Sequence, residues 1–331
     1  MSLVASPYLS DRSLKVRSKA IPWDGYQRAG LLGAEDVQLI QRVAGSKDKA
    51  EPILDAEGET YAALYIRLLN KLSRNDTLQF ILVLLGDFIA DRDERIPLFF
   101  SNSESPYPPL LKLLDSQDDF VRLKSSVVAS VLLSNDPNPA DDVVQKLLFH
   151  LGTTIRSPNE PEGQDVGVQC LESVLRVAKA RTAAWSTEDS GGASKGPKVV
   201  EGLVQLLRAN PSPQMQYQLG FCSWLLTFDQ SIAEQINSHY NLIPLLLDLA
   251  KHALKEKILR VVIASFRNLI IKAPKQNLAP MLIAKVLPFV QTLQGRKFAD
   301  EEIKEDMDFL AEELKKSFEG LTCASFLRPE L

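Results

Sequence analysis

The residues best suited to chemistry in this chain begin with the segment Gly191-Gly-Ala-Ser-Lys-Gly-Pro-Lys, which has the glycine spacing of a phosphate-cradling loop. In such a loop, backbone N–H groups wrap the phosphates and a lysine directly after the second glycine reaches their outer oxygens, followed by Ser or Thr for the metal. Here Pro197 and Lys198 follow Gly196, and no strand pattern precedes them, so the segment reads as a flexible insertion. No GxGxxG occurs. His150, His239 and His252 have no second histidine three to five residues away and no nearby cysteine pair, so zinc spacing is absent. Asp91-Arg-Asp-Glu-Arg lacks the glycine and the spaced ligands of a calcium loop and reads as a solvated turn. The run Asp300-Glu-Glu-Ile-Lys-Glu-Asp-Met-Asp offers paired carboxylates, but at helical spacing it is mostly a solvent face. No catalytic residue, cofactor site or metal site is assigned, and the chain is expected not to be an enzyme.

The elements that carry these residues are Leu-rich and helical. One unit recurs: a short Leu-rich helix, a polar turn, then a longer amphipathic helix. The clearest copy starts at Leu242-Ile-Pro-Leu-Leu-Leu and continues through Lys255–Ile270. Others start at Val200 and at Tyr107-Pro-Pro-Leu-Leu, with further copies fitting around Val144 and Val286. Leu203 and Leu245 hold matching places about 42 residues apart, inside the ~40–47-residue period of armadillo and HEAT repeats. Prolines 108, 109, 244 and 288 sit early in the short helices, where a missing N–H costs least. The fold class read from this is all-α, an armadillo/HEAT-type helical-repeat solenoid, because one helix pair exposes apolar surface that only stacked neighbours cover. Three regions are set out: a flexible N-terminal segment over 1–20, the repeat domain over 21–320 with a mobile insertion at about 186–197, and the start of a linker over 321–331. The chain is expected to close with a helix over Asp300–Phe318 carrying the stripe Ile303, Met307, Leu310 and Leu314.

The bulk numbers fit this class. The chain is 45% apolar with a formal net charge of −4, and has no basic excess to track a phosphate backbone, so nucleic acid is not expected as a partner. Three scattered cysteines make no disulfide framework and fit a reducing compartment. Apolar runs fall far short of the ~20 residues that span a bilayer, so membrane association is expected only through a partner.

In an armadillo array the last helix of each repeat lines a groove. On Lys257–Lys272, residues Ile258, Val262, Phe266, Leu269 and Ile270 are expected in the core, with Lys257, Arg260, Ala264, Arg267 and Asn268 on the opposite strip. On the preceding long helix, Met215, Leu219, Cys222 and Leu226 form one apolar stripe and Tyr217, Phe221, Trp224 and Phe228 a second, also expected in the core. Gln216, Gly220, Ser223 and Thr227 run between them. The candidate partner-binding groove is therefore Gln216, Ser223, Lys257, Arg260, Arg267 and Asn268: arginine forks suit partner carboxylates and amides suit partner backbone.

Several stretches, in order, resemble the H-subunit family of the vacuolar proton-pumping ATPase (V-ATPase). They are Ile21-Pro-Trp-Asp-Gly-Tyr, Leu32-Gly-Ala-Glu-Asp-Val-Gln-Leu-Ile-Gln-Arg, Met215-Gln-Tyr-Gln-Leu-Gly-Phe-Cys-Ser-Trp-Leu-Leu-Thr-Phe, the stretch from Asn241-Leu-Ile-Pro to Leu269, and Asp300-Glu-Glu-Ile-Lys-Glu-Asp-Met-Asp-Phe-Leu. The resemblance implies the N-terminal repeat domain of a non-catalytic regulatory subunit, with a smaller C-terminal repeat domain expected to be missing after Leu331. It further implies contact with the peripheral stalk of subunits E and G, and with other V1 and Vo subunits in the assembled pump. Support of ATP-driven proton transport is implied, as is silencing of ATP hydrolysis in the free V1 sector, associated with the C-terminal domain. The implied place is the cytosol, peripheral on vacuolar and other endomembranes. The alternative from the residues alone is a generic armadillo adaptor or cargo-binding scaffold, although only Trp224 and Asn268 hint at the Trp/Asn arrays of importin-like grooves.

Overall fold

The computed structural model describes residues 6–101, 104–186, 198–298 and 300–326. Among them every regular element is a helix. The chain divides into two compact units, Met1–Val174 and Leu175–Leu331.

The first unit holds α1 (Pro7–Arg17), α2 (Trp23–Arg28), α3 (Ala34–Val43), α4 (Lys47–Ala56), α5 (Gly58–Lys71) and α6 (Asn75–Ile89). A 3-10 turn over Asp93–Phe100 leads to α7 (Tyr107–Leu113), α8 (Asp119–Asn135), α9 (Asp141–Ile155) and α10 (Pro161–Val174). Helices α6 and α8 are buried nearly all round, α6 with mainly apolar side chains and α8 with apolar side chains and the small Ser125, Ser126 and Ser130. Tyr61, Tyr65, Phe88 and Phe120 are fully buried around them, with the Tyr65 and Phe88 rings edge to face at 5.8 Å. Arg95, 3% exposed, sits inside this core. Its charge is met by Glu51 and Asp55, and it donates to the Phe88 carbonyl at 3.2 Å. The N-terminal segment differs from the flexible stretch expected over 1–20. Ser6 accepts from the Leu9 N–H, Pro7 takes an early helical position where its missing N–H costs nothing, and α1 forms. Leu9 and Val16 are buried, α1 packs on α6 and α8, and Arg17 ion-pairs with Asp87. Residues 1–5 lie outside the described ones.

The second unit holds α11 (Ala178–Ser186), α12 (Val199–Arg208), α13 (Pro213–Leu226), α14 (Gln230–Tyr240), α15 (Leu242–Lys251), α16 (Glu256–Lys272), α17 (Pro274–Ile283), α18 (Val286–Gln294) and α19 (Glu301–Phe326). The short-then-long pairs are α12 with α13, α15 with α16, and α18 with α19. A left-handed residue stands directly before each short helix: Lys198 at φ 46°, Asn241 at φ 57° and Lys285 at φ 67°. At Asn241 and Lys285 it turns the chain between closely consecutive helices, so α14 and α15, and α17 and α18, pack on each other. Asn277, fully buried, donates to the carbonyls of Ala233, Leu269 and Ala273, tying α14, α16 and α17 together. The long helices α13, α16 and α19 pack side by side. Helix α19 buries Ile303, Met307, Leu310 and Leu314, the expected stripe, and runs on to Phe326, through part of the expected linker 321–331. The insertion expected at 186–197 falls, apart from Ser186, outside the described residues, as do 327–331.

Candidate partner-binding surface

Five of the six groove residues fall on different sides of α13 and α16: Lys257 and Asn268 meet Gln214 and Thr227 at opposite ends of α13, Arg260 and Arg267 face α19, and Gln216 lines a cleft with Leu245, Leu249 and His252. Gln216, half-buried, donates from Nε2 to the Pro211 carbonyl at 3.0 Å and braces the turn into α13. Lys257 is exposed, its ammonium 4.1 Å above the Tyr217 ring and 3.4 Å from the Gln214 Oε1. Asn268 donates from Nδ2 to the Thr227 hydroxyl at 3.1 Å. Arg260 forks onto Asp300 and Glu302, and Arg267 ion-pairs with Asp306 beneath the Phe309 ring, 5.3 Å from its centre. The Glu302 and Asp300 carboxylates hold the Arg260 guanidinium above even its ordinary proton affinity. Both arginines thus carry carboxylates from their own chain, supplied by α19 and the residue that precedes it.

The sixth residue is placed differently. Ser223 is 2% exposed and donates to the Leu219 carbonyl at 2.8 Å within its own helix. The strip it belongs to, read from the sequence as groove, is the face on which α13 meets α16. Gly220 shows why: a Cβ there would lie 3.0 Å from a Val261 methyl. Small residues let the two backbones approach, so Gly220, Ser223 and Thr227 are buried. The aromatic stripe expected in the core takes the opposite role. Tyr217, Phe221 and Trp224 are half-exposed and Phe228 is 39% exposed, whereas Leu219, Cys222 and Leu226 are buried as expected. The sequence held part of the signal: a glycine and two hydroxyl residues along one strip permit a close helix contact, but which strip a neighbour covers is decided only by α16.

Elsewhere, within the first unit, a cleft of about 350 Å³ is lined by Arg122, Lys146, Phe149 and His150. His150 Nε2 lies 2.9 Å from the Ser126 hydroxyl. That hydroxyl is on a residue 1% exposed and donates to the Arg122 carbonyl of its own helix, so it is not presented to a substrate. Burial, aided by the nearby Arg122 charge, pushes the His150 pKa down to about 4. Among the described residues no group of three His, Cys, Asp or Glu side chains is arranged to hold a metal ion, and no helix is long and apolar enough to cross a membrane. The segment Gly192-Ala-Ser-Lys-Gly spells a nucleophile elbow, a turn set between a strand and a helix. The described residues contain no strand, and residues 187–197 lie outside them.

Short and long helices in stacked pairs, with the long helices side by side, define a helical-repeat protein of the armadillo type. A designed armadillo repeat protein superposes with a TM-score of 0.60 at 17% identity, covering 76% of this chain and 98% of its own. A second design, solved in complex with the peptide (KR)4, gives a TM-score of 0.59 at 17% identity and the same coverage. At such identities these neighbours speak for the fold. The lineage is given by sequence: the family model for the V-ATPase H subunit matches residues 7–314, and the chain belongs to that family. The V-type proton ATPase H subunit of Drosophila melanogaster is 30% identical, over 97% of this chain and 67% of the relative. The probable V-type proton ATPase H subunit of Oryza sativa subsp. japonica is 27% identical, over 93% of this chain and 71% of the relative.

Proposed function

We propose that this chain is a non-catalytic regulatory subunit of the cytosolic V1 sector of the vacuolar proton-pumping ATPase, that it binds the peripheral stalk of subunits E and G, and that it supports ATP-driven proton transport. The observation that carries the reading is the family match across residues 7–314. The fold supports it, because stacked helical repeats present extended surfaces whose usual work is binding other proteins. In this reading the chain resides on the cytosolic face of vacuolar and other endomembranes, held there by the complex, and contacts other V1 and Vo subunits in the assembled pump. The surface proposed for partner contact is the side of α13 and α16 that carries Lys257 and Asn268, with Arg260 and Arg267 toward α19 and Gln216 in the neighbouring cleft beside α15.

The test is a calorimetric titration of the chain against purified heterodimer of subunits E and G at near-physiological salt. Saturable one-to-one binding is the expected result. No binding by a chain shown to be folded would sink the stalk contact and move the reading to a generic armadillo adaptor. The same chain, added to the free V1 sector, is expected to leave ATP hydrolysis largely running; strong silencing by these 331 residues would contradict the division of roles expected for the family.

A further inference from the structure

The aromatic stripe of α13, half-exposed along Tyr217, Phe221 and Trp224 and exposed at Phe228, is a continuous ladder of rings. Tyr217, Phe221, Trp224 and Phe228 follow one another with centroid separations of 6.0, 5.3 and 4.9 Å. Two cations sit on it: the Lys257 ammonium over Tyr217 at 4.1 Å, and the Arg176 guanidinium 5.5 Å from the Phe221 centre. Contiguous apolar surface that reaches solvent, as the outer edges of these rings do, marks binding sites on proteins, and aromatic rings with arginine dominate the energetics of such sites. Rings also lose little conformational entropy when a partner covers them.

The same unit shows which partner chemistry this surface accepts. Helix α19 docks beside α16 by burying Ile303, Met307 and Leu310, while carboxylates at its start meet Arg260 and Arg267 and its Phe309 ring lies against Arg267. On its α13 side, α16 repeats the cation and the ring: Lys257 stands on Tyr217, but its polar contact there is the Gln214 side-chain oxygen and not a carboxylate. The complement is a second helix of the α19 kind. We propose that the Tyr217–Phe228 ladder together with Lys257 is the docking surface for a partner helix whose apolar face is bordered by carboxylates, and that the stalk heterodimer supplies it. The second clause rests on the function proposed above. The rings take the apolar face, and Lys257 takes a bordering carboxylate while its ring contact keeps it in place.

The experiment compares the wild-type chain with two variants, Trp224→Ala combined with Phe228→Ala, and Lys257→Glu, in titrations against purified E/G heterodimer. Far-UV circular dichroism melts report folding; the Lys257 side chain is on the surface, so its reversal tests the proposal even if the double ring variant is destabilised. The ring variant is expected to bind about tenfold or more weakly. The reversal is expected to bind about fivefold more weakly at low salt, with the gap closing as salt screens it. Wild-type binding with both folded variants equally tight would overturn the ladder and leave the stalk contact standing. No binding by the wild-type chain would overturn both.

Discussion

At the scale of single residues, two buried polar groups show how the fold sets its own chemical demands. Arg95 keeps its charge inside the first unit because Glu51 and Asp55 reach it, whereas burial and the nearby Arg122 charge keep His150 neutral against the weaker pull of Asp115. The His150 pKa lies at about 4, against roughly 6.5 in an unfolded chain. Between those values the unfolded chain takes up a proton that the folded chain refuses. Stability therefore falls as pH drops from about 6.5 toward 4, by up to about 3 kcal/mol, at ~1.4 kcal/mol per pKa unit. Above pH 6.5 both states are neutral and the effect vanishes. His150→Gln retains a polar partner for Ser126 but cannot titrate. Its melting temperature is expected to change less between pH 7 and pH 5 than that of the wild-type chain, read by differential scanning calorimetry. Parallel declines in the two proteins would show that His150 is not the group responsible. Carboxylates such as Asp36, which Arg67 and Lys71 hold below the usual range against the opposing effect of burial, act in a lower window, where their loss of charge destabilises as pH falls.

At the scale of elements, the residue before each short helix of the second unit is a repeated point of backbone strain. Lys285 stands at φ 67° with an exposed side chain, so it carries the left-handed penalty with no evident return from contacts. Glycine adopts that conformation without steric cost but loses more freedom on folding. The left-handed penalty of about 1–2 kcal/mol exceeds that entropy difference of about 0.5–1 kcal/mol. Lys285→Gly is therefore expected to stabilise the chain by roughly 0.5–1 kcal/mol in urea unfolding. Lys285→Val, β-branched, is expected to destabilise it. A destabilising glycine would mean that the lysine side chain contributes more than its surroundings indicate. For this reason the period of the repeat was readable but the turn was not. Prolines 244 and 288 announce the starts of α15 and α18, but nothing in the letter of Lys285 announces a left-handed residue; α17 and α18 on either side impose it.

At the scale of the whole molecule, the all-helical repeat pattern was legible because apolar residues recur with helical spacing in every long helix, and because family-specific stretches keep their order from Ile21 to Leu310. The assignment of faces on α13 was not. A helix in a repeat array is flanked by several neighbours, and two apolar stripes with a polar strip between them leave open which side is covered. The choice was made by Gly220 and Val261, whose contact exists only once α16 is in place. Likewise, Arg260 and Arg267 read as free forks until the start of α19 brought Asp300, Glu302 and Asp306 across. Neighbour-dependent stability of this kind has a measurable consequence, because repeat arrays hold together through terms between adjacent repeats and need not unfold as one. Trp23, 7% exposed, reports on the first unit from its edge contact with Phe80 at 6.0 Å. Trp185, 5% exposed, reports on the second from its contacts with His239 and Tyr240. Two single-tryptophan variants, each with the other tryptophans changed to phenylalanine, are expected to give urea transitions with different midpoints, and neither should coincide with the loss of far-UV circular dichroism across the whole range. Three coincident curves would show that the two units, each with its own core, nevertheless unfold as one cooperative block, and that the terms between repeats outweigh every difference within them.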